Sequence, residues 1–83
     1  MLRIKILGSG CDNCKKLEAL ARRAVESLAV EAEVEKVTEY PAIMAYGILS
    51  TPGLVVNETV VSSGRIPSLA EIEGYLKAAG TPA

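Results

Sequence analysis

The hydrophobic pattern changes period once, close to the N-terminus, and that change restricts the fold more than any other feature of the chain. Leu2, Ile4 and Ile6 alternate with Arg3, Lys5 and Leu7, the two-residue rhythm of a buried strand. Gly8-Ser9-Gly10 follows as a loop in which the backbone can turn sharply. Beyond it Cys14, Leu17, Leu20, Ala21, Ala24, Val25 and Leu28 recur at i, i+3, i+4 spacing, so they define one apolar face of a long helix. A strand followed at once by an amphipathic helix is the opening of a sheet covered by helices.

Both cysteines of the chain fall at this junction, in Cys11-Asp12-Asn13-Cys14. The first thiol is expected near the positive end of the helix dipole, which favours thiolate over thiol. The second lies one turn further along, close enough for the two sulfurs to bond or to share a metal ion. Helix phase makes them unequal. Cys14 belongs to the buried face, whereas Cys11 falls at or just before the first turn and is expected to be accessible. Lys15, Lys16, Arg22 and Arg23 lie off that face and read as a solvated side. From these residues alone a redox pair, a metal pair and two inert thiols all remain open.

Eighty-three residues make one small domain, residues 1–83, with no room for a second core. Hydrophobic residues are 49% of the chain and its only aromatics are three tyrosines, so the core is expected to be aliphatic. A net charge of −1 without a basic run argues against binding nucleic acid through its phosphates. Histidine is absent, which excludes a Cys-His dyad, a Ser-His-Asp triad and a mixed Cys/His zinc site within one chain. Gly8-Ser9-Gly10 lacks the remainder of a phosphate-cradling motif. Two cysteines are too few for a disulfide-stapled secreted scaffold. The apolar run from Met1 to Leu7 is too short, and too interrupted by charge, for a signal peptide or a membrane span. A reducing, cytoplasmic location is expected, without a membrane partner.

Further along, Val30, Ala32 and Val34 alternate with Glu31, Glu33 and Glu35, which predicts a strand over 30–37 at a sheet edge with a solvated acidic side. Pro41 suits the first turn of a short helix from Ala42 to Tyr46, with Gly47 as its stop. Ile48 to Gly53 reads as an extended loop. Leu54-Val55-Val56 and Thr59-Val60-Val61 flank Asn57-Glu58 as a hairpin with a two-residue turn, ended by Ser62-Ser63-Gly64. Ser68 and Glu71, behind Pro67, carry the capping-box spacing of a last helix. Its apolar face is Leu69, Ile72, Tyr75, Leu76 and Ala79, and Gly80 and Pro82 stop it. Tyr46 and Tyr75 read as packing residues. The order predicts two short parallel-type crossovers, then a hairpin and a closing helix, in one mixed four-stranded α/β sheet.

With this order in hand, the chain resembles the small thioredoxin-like and glutaredoxin-like redox-active disulfide proteins. The resemblance spans essentially the whole chain. It rests on the element order, on Cys11-Asp12-Asn13-Cys14 after the first strand, and on Tyr46-Gly47-Ile48-Leu49-Ser50-Thr51-Pro52 before the hairpin. It implies the minimal thioredoxin fold, βαβαββα, a four-stranded mixed sheet packed by three helices. It also implies a thiol–disulfide oxidoreductase or electron carrier with no bound cofactor. Cys11 would be the attacking thiol and Cys14 the resolving one. Thr51 and Pro52 would form the substrate-binding loop with a cis peptide bond between them. Partners would be protein or small-molecule disulfides and thiols, together with a reductant the sequence does not identify. No residue identified here supports glutathione dependence.

Three departures stand out. Gly10 precedes the motif where thioredoxins proper have Trp, and Asp12-Asn13 replaces Gly-Pro inside it. The incoming strand offers Arg3 and Lys5 in place of a buried acid, so the proton acceptor for the resolving step has no assignment. Asp12 opposes thiolate formation at Cys11, partly offset by Lys15 and Lys16.

An alternative of another class is a copper-chaperone-like module. Such domains also place Gly-x-x-Cys-x-x-Cys between a first strand and a helix, and two thiolates suit Cu(I). They usually carry Met where Ser9 stands, lack the Thr51-Pro52 loop, and end in a strand rather than a helix.

Overall fold

The computed structural model describes residues 2–8, 12–48 and 50–80. Along the chain they form β1 (Leu2–Leu7), α1 (Asp12–Leu28), β2 (Ala32–Val37), α2 (Tyr40–Met44), β3 (Gly53–Val56), β4 (Thr59–Ser63) and α3 (Leu69–Gly80). The strands make one sheet in the order β2-β1-β3-β4. β1 runs parallel to β2 and antiparallel to β3, and β3 is antiparallel to β4. This is the mixed sheet with three helices that the element order implies. One expectation is corrected: only the first connection joins parallel strands. The second reverses the chain, because α2 is too short to carry it back to the starting end and β3 enters beside β1 from the opposite direction.

Each face of the sheet buries its own aliphatic cluster. On one face Leu2, Ile4, Ile6, Leu54 and Val56 meet Leu17, Ala21 and Ala24 of α1 and Ile72 and Leu76 of α3. On the other, Leu7 and Val55 pack with Ile43 and Ile48, with Tyr46 and Val60 partly buried against them. The period-two pattern of β1 is what divides its residues between the two clusters. β2 lies at an edge, as its acids suggest, and the register sets Glu33 opposite Arg3 and Glu35 opposite Lys5, a favourable cross-strand arrangement.

α1 ends without a glycine. Ala29 adopts φ +52°, and the Val30 amide donates to the Val25 carbonyl at 3.3 Å while the Ala29 amide donates to Glu26 at 3.1 Å. This is a Schellman closure, with Val25 and Val30 supplying its hydrophobic contact.

α2 begins two residues earlier than expected. Tyr40 and Pro41 occupy its first turn because Pro needs no amide partner there, and the Ile43 amide donates to the Glu39 carbonyl. Tyr46 therefore lies in the turn after the helix, before Gly47 at φ +77°. Asn57 and Glu58 both have positive φ, +50° and +66°, as a type I′ hairpin turn requires. β4 runs on through Ser62 and Ser63, which pair with Leu54 and Gly53, and the register slips between Leu54 and Val55 so that Val61 is the extra residue. The capping box on α3 is formed in both directions: Glu71 N–H donates to Ser68 Oγ and Ser68 N–H to Glu71 Oε1, each at 3.2 Å. Ala79, expected on the apolar face, is exposed, and Pro82 lies outside the described residues.

Candidate functional site

Cys14 sits in the first turn of α1, on the helix face that meets the sheet, and is 5% exposed. Its sulfur is in a disulfide. Cys11 lies outside the described residues, so the expected contrast between an accessible and a shielded thiol rests, structurally, on Cys14 alone. α1 begins at Asp12, immediately after Cys11 in the chain, and Asp12 is exposed.

Gly8 ends β1 and makes room for that sulfur. Its amide donates to the Val37 carbonyl at 2.9 Å, extending the β1–β2 ladder by one step. A Cβ built on Gly8 would overlap Cys14 Sγ, and would lie 3.3 Å from Cys14 Cβ and 3.8 Å from Thr51 Cβ. The end of β1, the start of α1 and the loop before β3 thus converge within van der Waals reach of one backbone position. Thr51 and Pro52 are joined by a cis peptide bond; Thr51 is exposed and Pro52 buried. The Pro52 carbonyl accepts from the Gly64 amide at 3.0 Å, which ties this loop to the end of β4. Cys14 and Thr51, far apart in sequence, both lie next to the Gly8 position, and Pro52 follows Thr51 in the loop.

Beside Cys14 opens a small cleft of about 70 Å³, lined by Ile6, Gly8, Cys14, Lys15, Glu18, Lys36 and Thr38. Glu18 is four residues past Cys14, one helical turn away on the same side. Its side chain is only 16% exposed and accepts from Arg22 Nη2 at 2.9 Å and Nε at 3.2 Å, with Lys36 Nζ at 3.6 Å. The Arg22 hydrogen bond, aided by the charge of Lys36, holds its carboxyl below the usual range against the opposing effect of burial. Sequence reasoning passed over both residues. Glu18 was within its reach, as an acid at i+4 from Cys14; Lys36 needed the sheet register, which sets it opposite Ile6 on the α1 side.

Lys5, on the strand that leads into the motif, faces away from α1. Its Nζ donates to Glu58 Oε1 at 2.7 Å and to Tyr46 Oη at 2.8 Å, and Tyr46 Oη donates to Glu58 Oε2 at 3.1 Å. These bonds raise the Lys5 pKa and lower that of Glu58. Tyr46 is therefore more than packing: its hydroxyl closes a polar network between β1 and the hairpin turn. A larger cleft of about 360 Å³ borders Lys5, Glu39 and Tyr46 and contains neither Cys14 nor Thr51.

Residues 2–77 match the family described as thioredoxin domain. The chain is similar to a thioredoxin of Methanothermobacter thermautotrophicus, 42% identical over 76 residues that span 92% of this chain and 99% of the relative. It is 38% identical over 77 residues to a thioredoxin of Methanocaldococcus jannaschii, spanning 93% and 88%. The solution structure of the oxidised thioredoxin from Plasmodium falciparum superposes with a TM-score of 0.60 over 89% of this chain and 80% of that one, at 20% identity, a likeness of fold. Element order, the junction at Cys14 and these matches together place the chain in the thioredoxin family.

Proposed function

We propose that the chain is a thiol–disulfide oxidoreductase, or a carrier of electrons between thiols, working through Cys11 and Cys14 without a bound cofactor. The observation that carries this reading is the convergence of Cys14, Gly8 and the Thr51–Pro52 loop at the helix start. The Cys11 thiolate attacks one sulfur of a substrate disulfide; that bond breaks, a mixed disulfide forms, and the departing sulfur takes up a proton. Cys14 then loses its proton and attacks the Cys11 sulfur, releasing the second substrate thiol. The substrate gains two electrons and the cysteine pair becomes a disulfide, which a separate thiol reductant restores. The main chain of Thr51, an exposed residue, is the element against which an extended substrate pairs.

Substrates are protein or small-molecule disulfides, and the setting is a reducing, cytoplasmic one. The Cu(I)-handling alternative draws no support from a chain that closes on α3 and carries a Thr51–Pro52 loop.

The test is trapping. Cys14→Ser, incubated with a disulfide substrate, is expected to accumulate a stable mixed disulfide on Cys11. Trapping by Cys11→Ser instead would reverse the roles. A redox titration in which the two cysteines fail to form a reversible intramolecular disulfide would sink the reading.

A further inference from the structure

The resolving step has a proton to dispose of at a buried sulfur. Cys14 is buried, and a cleft of about 70 Å³ opens beside it. The strand that leads into the motif contributes no acid: Arg3 and Lys5 are its only charged residues, and Lys5 faces the other side of the sheet, bonded to Tyr46 and Glu58. Among the described residues, Glu18, on the helix turn after Cys14, is the one acid that lines the cleft.

We propose that Glu18 is the base of the resolving step, taking the proton from the Cys14 thiol as its sulfur attacks Cys11. This rests on the dithiol reading given above. The S–H bond of Cys14 breaks and its proton passes to a Glu18 carboxylate oxygen. The freed electron pair on the Cys14 sulfur forms the Cys11–Cys14 bond, and the bond from Cys11 to the substrate sulfur breaks, its electrons leaving with the substrate. The substrate thiolate takes its proton from solvent, and Glu18 returns its own by way of the mostly exposed Lys36 end of the cleft. The charged groups around the carboxylate are Arg22 on its own helix, Lys36 on β2 and Lys15 at the cleft wall. All three are cations, so the carboxylate is held ionised, and its orientation is fixed by the two Arg22 bonds.

A positioned base contributes on the order of 100-fold at the low end, and this one sits well below the thiol in basicity, so its assistance is coupled to the attack itself. The experiment keeps both cysteines and changes Glu18→Gln, which preserves volume. Reaction with a chromogenic aromatic disulfide is followed by stopped flow, reading formation and decay of the mixed disulfide separately. At neutral pH the first step should be unchanged and the decay slowed on the order of 100-fold. Raising the pH makes a base less necessary to the attacking thiol, so the gap between the two proteins should narrow. Equal decay at neutral pH, or a gap that does not narrow as the pH rises, overturns the proposal. Arg22→Gln, which leaves the carboxylate in place, should slow decay less than Glu18→Gln; an equal or larger effect would assign the loss to the helix surface and overturn it too. Failure of the parent reading is separate, since Cys14→Ser would then trap nothing.

Discussion

At Gly8 a hydrogen stands where any other residue carries a carbon, and the Cys14 sulfur fills that space. The requirement is one of contact, not of backbone twist, because Gly8 continues the β1 ladder. Gly8→Ala should therefore destabilise the protein by about 1–3 kcal/mol, the usual cost of overfilling a packed site, as a lowered urea midpoint. The spacing of the two cysteines and the burial of Cys14 were legible from helix phase. The closeness of Gly8 to the sulfur was not, since the sequence marks a glycine there without saying what it makes room for. Ser62 was equally opaque. Its hydroxyl is buried with no hydrogen-bond partner among the described residues, a consequence of β4 running two residues further than its polar ending suggested.

Elements announced by strong local chemistry lie where the sequence places them: β1 and α1 through their periods, the hairpin through Asn57, α3 through Ser68 and Glu71. Elements closed by weak signals shift. Nothing in Ser27-Leu28-Ala29-Val30 flags a helix end, yet Ala29 takes the left-handed conformation that costs an L-residue about 1–2 kcal/mol. Ala29→Gly should relieve more of that cost than it adds in unfolded-chain freedom. The expected gain is about 0.5–1 kcal/mol, read as a raised thermal midpoint, and Ala29→Val should move it the other way. α2 shifted for a related reason: Pro41 marks a helix start only to within a residue or two, because it fits any first-turn position. Strand direction is a different matter. The reversal before β3 follows from α2 being too short to carry the chain back to the starting end of the sheet, and that shows only once the strands are paired.

Across the molecule, carboxylates fix the response to acid. Glu71 is drawn down to about 2, first by its bond to Arg65 and then by the Ser68 amide; Glu18 and Glu58 are lowered by Arg22 and Lys5. A group more acidic in the folded state leaves the unfolded chain holding more protons on the way down, so stability falls as pH falls. For Glu71 the contribution is complete above about 4.5 and gone near 2. The thermal midpoint should drop steadily across that window. Glu71→Gln should flatten part of the slope, and added salt should weaken the effect because the pair is exposed. Function at this scale comes from the layering. Two aliphatic clusters hold β1 between them, and the site forms where its end meets α1 and the loop before β3.

The sheet has two open margins, and each is shaped in a way that discourages a second molecule from extending it. β2 presents Glu33 and Glu35 to solvent, so an identical strand laid alongside would set acid against acid. β4 is interrupted by the extra residue Val61, which breaks the even spacing of donors and acceptors that a neighbouring strand would have to match. Lateral pairing along either margin is thereby disfavoured, which keeps the sheet at four strands.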